Sequence, residues 1–127
     1  MKQDLKNRND VNLLVAAFYE KVRENKAIGH FFNNGIKNWD EHIEKLTDFW
    51  ESNLFFVSKY SGNPQKVHIA VDAQNNHQIN PEHFGIWMNL WFETIDAHFE
   101  GELAQRAKNN ARKMSTHLYL KMFQNRG

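Results

Sequence analysis

The stretch from Tyr60 to Trp91, YSGNPQKVHIAVDAQNNHQINPEHFGIWMNLW, constrains the fold of this chain more than any other. It opens on turn residues, Ser61-Gly62-Asn63-Pro64, which lead into a very short apolar segment carrying one histidine, His68. A polar loop follows. Asn80-Pro81-Glu82 then starts a long aromatic helix, with asparagine as N-cap, proline at the first helical position and an acid facing the helix dipole. No helix of ordinary length fits between Pro64 and Val71. So short an element is not self-sufficient and needs something to hold it.

The flanking segments read as long helices. Asn9-Asp10 offers an N-cap, and Val11, Leu14, Val15, Phe18 and Val22 recur at helical spacing, which predicts a helix over roughly residues 11–25. Tyr19 lies at the edge of that stripe, where a tyrosine usually packs its ring and wets its hydroxyl. Asn25 to Asn34 reads as a tight corner with one helical turn, holding Gly29 and the pair Phe31-Phe32, and Asn33-Asn34-Gly35 closes it. A second long helix starts near Asn38, and Trp39, His42, Ile43, Leu46, Phe49, Trp50, Asn53, Leu54 and Val57 share one face. It should end before Gly62. The helix after Asn80 buries Phe84, Trp87, Met88, Trp91 and Ile95, and Gly101 marks a break. The last helix, about residues 102–124, carries a ladder of Leu103, Ala107, Ala111, Met114, Leu118 and Met122. Nothing alternates with period two between turn signals. The fold class is all-α, and residues 1–127 read as a single domain.

Composition narrows the functions available. A net charge of +1 offers no basic field for nucleic acid, and there is no cysteine for disulfides, thiolate metal sites or nucleophilic catalysis. No apolar run approaches the roughly 18 residues of a membrane span, and MKQDLKNRND lacks the apolar core of a signal peptide, so the expected location is the cytoplasm. Aromatic residues make up 13% of the chain, with four tryptophans and seven histidines, which suits a core shaped around something. Phosphate-binding loops, dinucleotide fingerprints, HExxH pairs and nucleophile elbows are all absent. A di-iron bundle would need Glu-x-x-His pairs, whereas Glu41 and His42 are adjacent and Glu93 is followed by histidine only at His98. What survives is a site with one histidine ligand among aromatics.

In order and spacing, FYEKVRENKAIGHFF, WDEHIEKLTDFW, Tyr60-Ser61-Gly62-Asn63-Pro64 leading to Lys66-Val67-His68, and HFGIWMNLWFETID resemble the truncated haemoglobins, most closely the third group. The resemblance runs from about Val11 to Met122. It implies a two-over-two helical sandwich around haem b (iron protoporphyrin IX), with the helix that carries the proximal ligand reduced to a short turn. It makes His68 the iron ligand, whose Nδ1–H would donate to a carbonyl such as that of Pro64. His83 is the rival ligand. The resemblance places Tyr19, His42 and Trp87 in the distal pocket, with His42 either a donor or a gate at the pocket mouth. Leu46 and Phe49 would line that pocket, Phe31 or Phe32 would pack on the macrocycle, and Lys45 would pair with a propionate. The paired-glycine hinges of the first two groups are missing, which favours the third. The loop Ala73–Gln78 has no assigned role.

A ferrous haem held by one histidine leaves a position for O2, NO or CO. Donors such as Tyr19 and Trp87 would strengthen retention, which points to NO or peroxide chemistry fed by an unidentified reductase rather than to oxygen delivery. A haem-based sensor, an oxygen store and a cofactor-free helical interaction module are the alternatives. The last would be folded and colourless.

Overall fold

The computed structural model describes residues 2–57, 68, 70–73, 75 and 79–124. Among them the regular structure is entirely helical. Helix α1 is Arg8–Glu24, α2 is Gly29–Asn33, α3 is Trp39–Phe55, α4 is Pro81–His98 and α5 is Glu102–Gln124. Residues 68 and 70–73 are also helical, in the segment expected to be short. The turn residues 61–64, the Pro64 carbonyl, most of the loop after Ala73 and the last three residues lie outside the described residues.

The helices begin where local chemistry starts them. Asn38 caps α3 by accepting the Glu41 N–H at 3.1 Å. Asn80 caps α4 with Pro81 in the first turn. The start of α1 differs from the sequence reading. Its cap is Asn7, whose side chain accepts the Asp10 N–H at 3.0 Å, so the helix begins at Arg8. The two asparagines are equivalent by type, and the tertiary position of Arg8 favours the earlier one. Helix α3 stops at Phe56, which takes a left-handed conformation with φ 58°. Val57 therefore leaves the apolar face expected to include it and is exposed.

Helix α1 packs against α2, α3 and α4, while α5 packs on α4 and reaches α3. At the centre, Phe18 meets Tyr19, Trp87 and Trp91 edge-on, at 4.7, 5.2 and 4.9 Å between ring centroids. Trp91 stacks between Trp50 at 4.6 Å and Trp87 at 6.2 Å. Its indole N–H donates to the Ala107 carbonyl at 3.2 Å, so no polar atom of this side chain is stranded in the core. Ala104, Ala107 and Ala111 are buried on α5, and their small side chains let α5 approach α4 closely.

Long-range polar contacts bind the N-terminus to the rest of the chain. The Arg8 guanidinium reaches Glu44, Asp48 at 2.7 Å and Glu51 at 2.8 Å, which fastens the start of α1 to three turns of α3. Asp4 caps α5 by accepting the Leu103 and Ala104 N–H groups at 2.8 and 2.9 Å. Next to it, Leu5 is buried in the core, and the Glu100 N–H donates to the Gln3 carbonyl. The polar opening of the sequence is thus a structured strap.

Candidate functional site

Aromatic and aliphatic side chains from every described helix converge on a cavity of about 470 Å³. Helix α1 contributes Tyr19, because one residue past the buried Phe18 turns the ring toward the edge of the core. Helix α2 contributes Phe31 and Phe32. Phe31 meets His83 and Phe32 meets Tyr19, and both line the cavity. Helix α3 sends in His42, Lys45, Leu46 and Phe49 at the i, i+3, i+4, i+7 positions of one face. Helix α4 supplies Trp87, whose ring stacks on Trp91. His68 stands in the wall with its ring parallel to Phe84 at 6.5 Å. All nine residues singled out from the sequence therefore line one cavity.

Others were not foreseen. Ile28, Ile36 and Ile79 close the cavity from corners that carry no helical periodicity, and Ser115 and Leu118 reach it from α5. Leu118 and Met114 belonged to a ladder read as plain core, and nothing in that ladder marked which rungs face a void.

The polar groups of the cavity have unusual environments. Tyr19 is buried, and burial pushes its hydroxyl well above the usual tyrosine range, while a hydrogen bond with Trp87 opposes that shift. Its hydroxyl therefore keeps its proton. His42 touches Tyr19 and Trp39 edge-on, each at 5.5 Å between centroids. Burial lowers its pKa, and the nearby Lys45 charge lowers it further, so the ring is neutral. Its Nε2 is buried with no hydrogen-bond partner among the described residues. A buried orphan of this kind costs free energy unless something in the cavity answers it.

His83, the rival ligand, is already committed. Its Nδ1 accepts the Asn80 N–H at 3.0 Å, so the ring proton is on Nε2. A nitrogen that carries a proton has no lone pair for a metal.

The His42 environment has a consequence for stability. The unfolded histidine titrates near 6.5 and the folded one lower, so below that pH the unfolded chain binds more protons. Stability of the ligand-free protein should thus fall as pH drops through 6.5. Urea unfolding at stepped pH should show a shallower fall for His42→Phe. Parallel profiles would mean that the buried ring is not resisting protonation.

These residues suit a haem on the structure's own terms. The volume lies within the range of roughly 300–1,000 Å³ typical of cofactor sites. The lining is mostly apolar, it includes a histidine of the type that would hold iron, and it holds an imidazole nitrogen without a partner among the described residues.

An all-helical chain folded around such a cavity has the architecture of the globin class. The solved structure of a group III truncated hemoglobin from Campylobacter jejuni superposes with a TM-score of 0.78, at 30% identity, over 93% of this chain and 92% of that one. The group 3 truncated hemoglobin ctb of the same organism is 31% identical over 121 residues, covering 92% of this chain and 91% of that protein. No family model matches the sequence. The chain belongs to the group 3 truncated haemoglobins.

Proposed function

We propose that the chain binds haem b in the cavity, where His68 would hold the iron, and that it retains O2, NO or CO beside Tyr19, His42 and Trp87. One observation carries the reading. A mostly apolar cavity gathers a histidine, a tyrosine held protonated, an indole donor and an imidazole nitrogen without a partner among the described residues in one space. Its similarity to two hemoglobins points the same way. Held by one histidine, the haem supplies an iron with one position open to a diatomic ligand and to redox chemistry.

The chain's own residues supply retention. Tyr19 O–H and Trp87 N–H are donors in a space with little water, where hydrogen bonds to a polarised ligand contribute about 1.5–3 kcal/mol each. Phe31, Phe32, Leu46 and Phe49 exclude water and keep those donors strong. Lys45, near the His42 side, suits a propionate. Strong retention favours conversion of NO or peroxide over release of O2, with electrons arriving from a separate reductase.

Absorption spectra of haemin-reconstituted protein, before and after dithionite and CO, test the haem reading. Wild type should give a sharp Soret band and a normal ferrous-CO shift. His68→Gly should lose them, and added imidazole should bring them back. Wild type that stays helical and takes up no haem overturns the reading, and His68→Gly with unchanged spectra overturns the ligand assignment. Tyr19→Phe should speed O2 dissociation at least about tenfold. An unchanged rate removes Tyr19 from retention.

A further inference from the structure

Tyr19 borders two spaces. It lines the cavity, and it also lines an outer groove between α1 and the start of α3, together with Arg23 and Trp39. Tyr19 is buried, whereas Trp39 is half-buried and lines the groove without reaching the cavity. The two rings stand 6.0 Å apart between centroids, and Trp87, a cavity residue, hydrogen-bonds to Tyr19. A line of oxidisable rings therefore runs from the cavity to the surface. The other aromatic run ends blind, since Trp91 and Trp50, stacked beyond Trp87, are both buried. Toward Tyr119 the contact from the cavity is Phe84, whose ring is too hard to oxidise to relay an electron.

The groove suits the outer end of such a path. The Arg23 guanidinium lies over the Trp39 ring at 4.4 Å, and a cation there opposes positive charge on the indole. Trp39 must then give up its N–H proton as it gives up an electron, and the carboxylates of Glu20, Glu24 and Asp40 line the same groove and can take it. We infer that Trp39 is a surface oxidation site, at which phenols too large for the cavity deliver electrons that cross Tyr19 to peroxide reduced inside. The exchange balances. One peroxide takes up two electrons and two protons and leaves as two waters. Two phenols each give one electron and one proton in the groove and leave as phenoxyl radicals, while Trp39 loses and regains one of each per phenol. This rests on the haem reading above and adds to it a second entry for electrons and the class of donor that uses it.

Treating haemin-reconstituted protein with hydrogen peroxide and a nitroso spin trap, then digesting it for mass spectrometry, locates the oxidised ring. Wild type should carry the adduct on Trp39. Trp39→Phe keeps a packed ring but not an oxidisable one, and should lose the adduct. It should also cross-link tyramine-bearing dextran, a phenolic polymer that cannot enter the cavity, at least about tenfold more slowly. Trp39→Tyr restores an oxidisable ring and should hold that rate within about threefold of wild type, a rescue that a merely structural role would not produce. Tyr19→Phe should take the adduct away from Trp39. Soret and ferrous-CO spectra should be the same in wild type and both Trp39 variants. The inference is wrong, and the haem reading stands, if the wild-type adduct forms on Tyr119 or elsewhere but not on Trp39. It is equally wrong if Trp39→Phe cross-links as fast as wild type or as Trp39→Tyr, or if the adduct stays on Trp39 in Tyr19→Phe. If wild type takes up no haem, both fall.

Discussion

Trp91→Ala is expected to destabilise the ligand-free chain by about 4 kcal/mol, near the upper end for a core aromatic. The side chain is fully buried, so truncation removes its whole transfer free energy and leaves a cavity bounded by Phe18, Trp50 and Trp87. Those rings are large, and each is held by further neighbours, so the hole cannot collapse cheaply. The Ala107 carbonyl also loses its donor. A domain of this size has a total stability of roughly 5–15 kcal/mol, so much of the margin would go. Urea unfolding followed by circular dichroism reads the effect directly. Trp91→Phe, which keeps a ring and loses the N–H, should cost less than half as much. A loss below about 1 kcal/mol for alanine would mean that the aromatic stack is not the core's anchor.

Gly101→Ala should cost about 3 kcal/mol through two separate effects at one site. The residue has φ +143°, a conformation that side chains resist. A Cβ there would also stand 2.5 Å from Asp4 Cγ and 2.7 Å from its Oδ2. Asp4 would have to move, and its caps on Leu103 and Ala104 would go with it. The second effect can be separated from the first. In an Asp4→Gly background the clash and the caps are already gone, so Gly101→Ala should then cost only the backbone strain, about 1–2 kcal/mol. Equal costs in both backgrounds would show that Asp4 accommodates the methyl without leaving its post.

These two sites mark the limit of what the sequence discloses. Signals that act within one turn were legible. Asn38 and Asn80-Pro81 start their helices where they should, and Gly101 interrupts the chain as expected. The helical spacing of His42, Leu46 and Phe49 put them on one face of α3, and all three line the cavity. Signals that depend on a distant partner were not legible. Asp4 caps residues 99 and 100 positions away, and Arg8 meets its carboxylates 36 to 43 positions away. Neither has any local pattern, and for that reason Asn9-Asp10 looked as good a cap as Asn7. His83 shows the same limit from the other side. Sequence presents it as one more available imidazole, while a single backbone N–H decides which of its nitrogens is free.

Helix α5 is seated at both ends. Asp4 holds its first turn, and Met122 is buried near its last. Between them, Met114, Ser115 and Leu118 form one wall of the cavity. A span supported at both ends keeps its shape whether or not the space beside it is filled. The ordering of that wall is therefore settled when the chain folds, and a ligand arriving later forfeits little conformational entropy there. In kinetic terms, uptake on this side resembles entry into a standing frame, and whatever adjustment the ligand demands must come from the short elements facing it.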